Sequence, residues 1–489
     1  MISPQQGLPL TQLKPYLMRT RISALFLLLV SMLLSGCGDT RFDSPPLVGQ
    51  VSSVNGGLTS LNGGSLTHPT TGHSVTFSNN SLNSDTRATL SLLANHFPVT
   101  IHPEFLPVGQ AMTVELGGAA LTGEVRASIP FQATPQSTQK SALRMYWMLP
   151  SGFLYPLITT FDSQTQQYTG VIPAGLVSQL SAENEFDGSS LTFGLLNEST
   201  YLSRPAHVDW PSYNLYVYEN GKFVKYLDQG QPVSGRTLPD VGNRPFMVVH
   251  GLGSNIPNFN STVQGVLGSQ SYTTVLGFEY DTLSGITTTG PRLRQAYNLV
   301  EQNTGRDWHH LAHSMGCLIS RQGIETGGAM PYQSNNVVLA AGPHIGSPII
   351  NALQANEGVF TQFITALVIN NLMDFKNADG TPCKVSLNDQ GFIDLANGSS
   401  ALAALNANAA SNHPKETYRT LGGNNRGLIF AAVNYIVGVN LDDGFVNLVS
   451  ANPGNLIGST ESQAVPDNHL NITTDATNGL RVILEYLAK

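Results

Sequence analysis

The chain has 489 residues, 41% of them hydrophobic and 11% charged, with a formal net charge of −8. That length predicts two domains, and the apolar content is enough for packed cores. The absence of any basic block excludes a nucleic-acid partner, while 48 Gly and 28 Pro predict a turn-rich, β-rich exported protein.

At the N-terminus, Arg19 and Arg21 precede an apolar run, Ala24-Leu25-Phe26-Leu27-Leu28-Leu29-Val30, and then Leu34-Ser35-Gly36-Cys37. A basic start, a short apolar stretch and small residues before a cut describe a secretory signal over 1–36. The apolar run is short for a spanning helix. Met18 fits as a start as well as Met1, since it opens a more compact basic region. Leu-Ser-Gly-Cys resembles the bacterial lipoprotein box. The resemblance implies cleavage before Cys37 and acyl chains on that residue, which would hold the chain at a membrane by ~0.8 kcal/mol per buried methylene. An uncleaved anchor is the other reading. Gly38, rather than Asp, after the cysteine implies by the same resemblance the outer membrane of a cell envelope.

Residues 37–65, rich in Ser, Gly and Asn, predict a tether. Residues 66–205 then alternate in short runs, such as Ser74-Val75-Thr76-Phe77, Val125-Arg126-Ala127-Ser128-Ile129-Pro130 and Met145-Tyr146-Trp147-Met148. Turn residues separate them, and no long helical period appears. The pattern predicts an all-β, sandwich-like domain. Residues 152–157 followed by 167–171 resemble the paired hairpins of ankyrin/netrin-receptor-type β-sandwiches. No acid pair, metal-spaced cluster or nucleophile stands out in this stretch. Spacer or adhesion duty is one reading, and contact with a surface polymer or protein is the other.

Residues 206–489 read as a second, catalytic domain. Alternation on both sides of Asn220-Gly221 predicts a hairpin. Phe246-Met247-Val248-Val249 is apolar without alternation, as in a central parallel strand buried on both faces. It ends in His250-Gly251-Leu252-Gly253, a glycine loop that can bring N–H groups to the sheet top. Further strands are expected at 274–281, at 308–313, at 336–341 and at 417–423. A helix is expected over 292–302, one from 318 to about 326, and a last one over 479–487. Strands alternating with helices predict a doubly wound, mostly parallel sheet with its site at the carboxyl ends of the strands. An apolar insertion, about 348–415, would form a cap. Internal packing explains its apolar stripe, and a lid with an acyl-chain wall is the sharper reading.

The chemistry centres on Ala312-His313-Ser314-Met315-Gly316. Ser314 lies where a strand meets a helix, and small neighbours let the backbone close there. Such a turn pushes the hydroxyl outward and aims the first N–H groups of the helix at the same point. This is a nucleophile elbow with Ala312 for the first Gly of G-x-S-x-G. Downstream come Asp442-Asp443-Gly444-Phe445-Val446 and, on a loop before the last helix, His469. The order Ser…Asp…His is that of the α/β hydrolases. Asp443 is the expected acid by its match to Asp-Gly-x-Val, with Asp442 as the alternative. His469 is the expected base, and His250 is expected only to shape its loop.

Residues 245–489 thus resemble the serine esterase/lipase superfamily of α/β-hydrolase fold, including lipases with Ala before the nucleophile. The pattern is also similar to GPI inositol-deacylase-like and lecithin:cholesterol acyltransferase-like hydrolases. The resemblance implies Ser314, Asp443 and His469 as a triad and the N–H groups of Leu252 and Met315 as the oxyanion hole. It implies carboxylic ester hydrolysis, lipid esters above all, with no metal and no cofactor. Acyl transfer by the same residues, and a surface-binding lipoprotein with a silent hydrolase fold, are the competing readings. Cys317 and Cys383 are the cysteines left besides Cys37, either as a disulfide or as two thiols.

Overall fold

Strand alternation sets the first half of the structure, a computed structural model that describes residues 50–94, 96–131, 140–183, 186–301, 306–407, 409 and 415–489. The first strands are β1 (Gln50–Leu58), β2 (Gly64–Thr67), β3 (Ser74–Phe77), β4 (Thr86–Leu93), β5 (Leu106–Glu115) and β6 (Val125–Pro130). They are followed by β7 (Leu143–Met148), β8 (Leu154–Pro156), β9 (Thr159–Asp162), β10 (Gln167–Ile172) and, after helix α1 (Ala174–Ser181), β11 (Ser190–Asn197). One antiparallel sheet runs β1-β4-β5-β11-β7-β8 and another β2-β3-β6-β10-β9. In β6 and β10 every second residue is buried. Leu90, Leu92, Met112 and Val114 of the first sheet share one core with Val75, Phe77, Val125 and Ile129 of the second.

Two expectations need correction. Residues 50–58 and 64–65, read as tether, lie in strands, and β1 pairs antiparallel with β4. Composition hid a period of two: Ser52, Val54, Gly56 and Leu58 are the less exposed positions of β1. Glycine stands at 56 because a Cβ there would lie 2.4 Å from Leu66 Cδ2. The segments at 152–157 and 167–171, read as paired hairpins, lie in different sheets: β8 pairs with β7, while β10 pairs with β6 and β9. The turn that starts at Asp162, whose carboxylate accepts from Gln164 N–H, gives β10 a nearer partner in β9.

The second half is organised by one nine-stranded sheet. Its strands are β12 (Asn214–Glu219), β13 (Lys222–Asp228), β14 (Gln231–Pro232), β15 (Pro245–Val249), β16 (Thr274–Glu279), β17 (Asp307–His313), β18 (Ser334–Ala340), β19 (Glu416–Gly423) and β20 (Glu461–Val465). The order is β14-β13-β12-β16-β15-β17-β18-β19-β20. Asn220 and Gly221 both have positive φ, as the tight turn between β12 and β13 requires. The strands from β16 to β20 are parallel, and β12 enters antiparallel to β16.

Helices cover both faces. They are α2 (Asn260–Ser269), α3 (Ile286–Val300), α4 (Met315–Glu325), α5 (Pro348–Gln354), α6 (Glu357–Ile369), α7 (Gln390–Leu395), α8 (Ser400–Asn406), α9 (Gly427–Val437) and α10 (Gly479–Leu487). Phe246 and Val248 pack with Val263 of α2 and Ile483 of α10, whereas Met247 and Val249 belong to the core that holds Leu293 of α3 and Leu318 of α4. That division explains why β15 is apolar without alternation. β15 has β16 on one side and β17 on the other, so the chain reverses its direction of travel across the sheet there. A crevice opens at the carboxyl ends of the strands at such a point.

All described residues belong to one compact unit. Among the described residues no helix is long and apolar enough to cross a membrane. Cys37 and the segment 1–36 lie outside them. Cys317 and Cys383 are both buried free thiols, which removes the disulfide reading.

Candidate active site

The strand-to-helix turn between β17 and α4 holds Ser314 at φ 56°, ψ −127°. That is a left-handed φ for a residue with a Cβ, and it is held by neighbours that leave no alternative. Ser314 N–H donates to Ala340 O at 2.9 Å, and Cys317 N–H donates to Ser314 O at 3.0 Å. Gly316 must be glycine: a Cβ there would sit 2.3 Å from His250 O and 2.7 Å from Val249 O. At Gly251 a Cβ would come within 2.7 Å of Ser314 Cβ. The two glycines therefore press the loop after β15 against the elbow.

Ser314 O–H donates to His469 Nε2 at 2.9 Å, and His469 Nδ1–H donates to Asp443 Oδ2 at 2.8 Å. Asp443 is buried, and its other oxygen accepts from Phe445 N–H at 2.9 Å and Val446 N–H at 2.7 Å. The Gly444 turn after the acid thus fixes the carboxylate plane. His469 N–H donates to Asp443 O at 2.9 Å, so the two loops are joined through backbone as well. Asp442, the alternative acid, is exposed, and its carboxylate accepts from Leu448 N–H at the short helix Leu448–Ala451. Leu252 and Met315 flank Ser314 on the two pressed segments. Among the described residues, no protein acceptor takes the N–H of either.

One residue beside Ser314 makes a contact that spacing could not reveal. His313 Nε2–H donates to His469 O at 2.8 Å, and the two rings lie 5.0 Å apart. Burial, with His469 next to it, pushes His313 down to about 3, so it stays neutral and keeps that donor. Burial also lowers His250, whose ring stacks on Tyr280 and serves the loop, as expected. Asp467, two residues before His469, is pushed up to about 7 by burial and by Asp475.

The segment between β18 and β19, the expected cap, reaches the site from two sides. Phe363 of α6 touches Phe445, and Phe445 touches His469, with ring centroids 6.0 Å and 5.0 Å apart. Asp374 N–H donates to Gly253 O at 3.0 Å, and Phe375 lies against Gly253. The site thus has an apolar wall on the histidine side and a cap strap on the glycine loop.

Among the described residues, His207, Asp209 and Asp281 bring three atoms of metal-ligating type within 4.8 Å of one another. Asp281 is already saturated there: it accepts from His207 Nε2–H, Trp210 N–H, Leu283 N–H and Ser284 O–H. The Asp281 carboxylate is thus the centre of a hydrogen-bonded knot.

No protein-family model matches the sequence, and no curated protein matches it. Solved structures do. Bacillus licheniformis lipase BlEst2 in its mature form is 18% identical, over 53% of this chain and 96% of that one, with a TM-score of 0.38. The metagenomic carboxyl esterase MGS0156 is 14% identical, over 53% of this chain and 79% of that one, with a TM-score of 0.36. Phospholipase PlaB from Legionella pneumophila is 17% identical, over 43% of this chain and 45% of that one, with a TM-score of 0.30. These neighbours are of the lipase and esterase type, at low identity and over about half of the chain.

Proposed function

We propose that this chain hydrolyses carboxylic esters through Ser314, His469 and Asp443, by way of an acyl-enzyme. The observation that supports it is the unbroken line of hydrogen bonds from Ser314 Oγ through His469 to Asp443. As the Ser314 oxygen attacks the ester carbonyl, its proton passes to His469 Nε2. Asp443 holds the imidazole in the tautomer that can accept that proton, and offsets the charge it gains. The carbonyl oxygen, now negative, turns toward the N–H groups of Leu252 and Met315, each worth on the order of 10²–10³ in rate. His469 returns the proton to the departing alcohol oxygen. Water then repeats the sequence on the acyl-serine and releases the acid.

Lipid esters are the favoured substrates in this reading. Its support is the apolar cap wall of Phe363 and Phe445, which can lie along an acyl chain. Acyl chains on Cys37 would hold the enzyme at the membrane of the cell envelope, the outer one by the sorting resemblance, where such substrates reside. The test is hydrolysis of p-nitrophenyl butyrate by the Ser314→Ala protein. We expect kcat to fall by on the order of 10⁴ or more with the fold intact. Retained activity would show that another group is the nucleophile.

A further inference from the structure

A cavity of about 410 Å³ lies away from Ser314, His469 and Asp443, none of which lines it. It is walled by the β12–β13 hairpin, the end of β16, the loop after Gly253 and the cap strap that starts at Asp374. Gly251 touches Ser314, and Ser254, three residues further on, lines the cavity. At no more than ~3.6 Å per residue, Ser254 lies within roughly 11 Å of Gly251.

Glu279 stands in its wall and is 7% exposed. One of its oxygens, Oε2, accepts from Asn214 Nδ2–H at 2.8 Å and Tyr216 O–H at 2.9 Å. Among the described residues, its other oxygen has no hydrogen-bond partner, and no basic side chain pairs with it. The two lysines of the wall each pair with a carboxylate of the same wall: Lys225 Nζ lies 2.8 Å from Asp228 and 5.9 Å from the centre of the Tyr216 ring, and Lys376 Nζ lies 3.0 Å from Asp374. Aromatic side chains of Trp210, Tyr216 and Phe375 line the same space.

A buried carboxylate without a cation is costly, and proteins keep one where a cation comes to it. Tyr216 beside the carboxylate, with Trp210 and Phe375 elsewhere in the same wall, favours a soft, weakly hydrated cation over a small hard ion. We propose that this cavity binds an organic ammonium group, with Glu279 as its counter-ion and the rings as its walls. The ligand is an amine or quaternary ammonium compound, free or as part of a larger molecule. The proposal goes beyond ester hydrolysis and does not depend on it.

The test is calorimetric titration of the chain with choline, with n-butylammonium and with 3,3-dimethylbutan-1-ol, the neutral isostere of choline. No ester is present, so failure of the hydrolase reading leaves the result untouched. Glu279→Gln keeps an oxygen for Asn214 and Tyr216 while removing the charge. We expect an ammonium ligand to bind at least about tenfold tighter than the neutral alcohol, and to lose about tenfold in Glu279→Gln. Tighter binding of choline assigns the site to quaternary ammonium, and tighter binding of n-butylammonium to a hydrogen-bonded amine. Equal binding of choline and its neutral isostere, unchanged ammonium binding in Glu279→Gln, or no binding of either cation would each overturn the proposal. The isostere comparison needs no variant, so it decides the matter even if Glu279→Gln does not fold.

Discussion

At the scale of single residues, the site depends on how the histidine loop is held. His469 is fixed from three directions: by Asp443, by Ser314, and by the bond from His313 to its carbonyl. In His313→Ala that carbonyl loses its donor and the loop is free to shift. Small shifts of a base can cost up to about 10² in rate. We expect kcat for a p-nitrophenyl ester to fall by about 10- to 100-fold with KM little changed, whereas a purely structural role would lower Tm and leave kcat per folded molecule alone. Asp467 sets a pH dependence of its own. Its folded value of about 7 lies above its ordinary 3.8, so between those pH values the native state keeps a proton that the unfolded chain releases. Its contribution is therefore full below about pH 4 and is lost as pH rises to 7 and beyond. Asp467→Asn should raise Tm at pH 8 and change it little at pH 4, as thermal unfolding at the two pH values will show. An equal shift at both would remove Asp467 as the cause. The three residues that meet at Ser314 were legible in the sequence because each sits in a short local pattern. His313 was not, since its partner lies 156 residues away and only folding brings them together.

At the scale of elements, the cap is clamped to the β-rich half of the chain. Asn370, at the end of α6, accepts from Leu154 N–H at 2.7 Å and donates to Leu154 O at 3.0 Å. Gln362 Nε2–H donates to Pro156 O, and His102 N–H donates to Ile369 O. One strand edge, β8, therefore fixes the helix that carries Phe363 to the active site. Asn370→Ala leaves two backbone groups of Leu154 unpaired, a cost of about 1–3 kcal/mol. Hydrogen exchange in 357–369 should quicken, and the preference for long over short acyl esters should weaken. Unchanged exchange there would show that the clamp is not what orders the cap. The sequence showed the apolar stripe of this helix but not its dock, because pairing between distant segments leaves no local trace. The same limit explains β1: its inward positions are Ser, Val, Gly and Leu, and three small or polar neighbours disguise a strand as a linker.

At the scale of the whole molecule, the β-rich half shares one core with the half that carries Ser314. Helix α1 packs on α9, Gln179 Nε2–H donates to Ala431 O, and Arg426 pairs with Glu183 at 2.7 Å. A single buried cluster runs from Leu58 to Ile457 through both halves. The expectation of a spacer followed by a catalytic unit leaves out this continuity. The parallel strands of the second half were accessible from runs of apolar residues and glycine loops, but their order in the sheet was not. The shared core was not, because it depends on which faces two separate patterns leave uncovered. The proposed function rests on one activated oxygen, and that is open to direct measurement. The chain and its His469→Ala variant should be treated with a fluorophosphonate and the adduct located by peptide mass spectrometry. The expected result is a single adduct on Ser314 that forms quickly in the parent chain and is lost or slowed by on the order of 10³ or more in the variant. An adduct on another residue, or equal labelling of Ser314 with and without the imidazole, would contradict it.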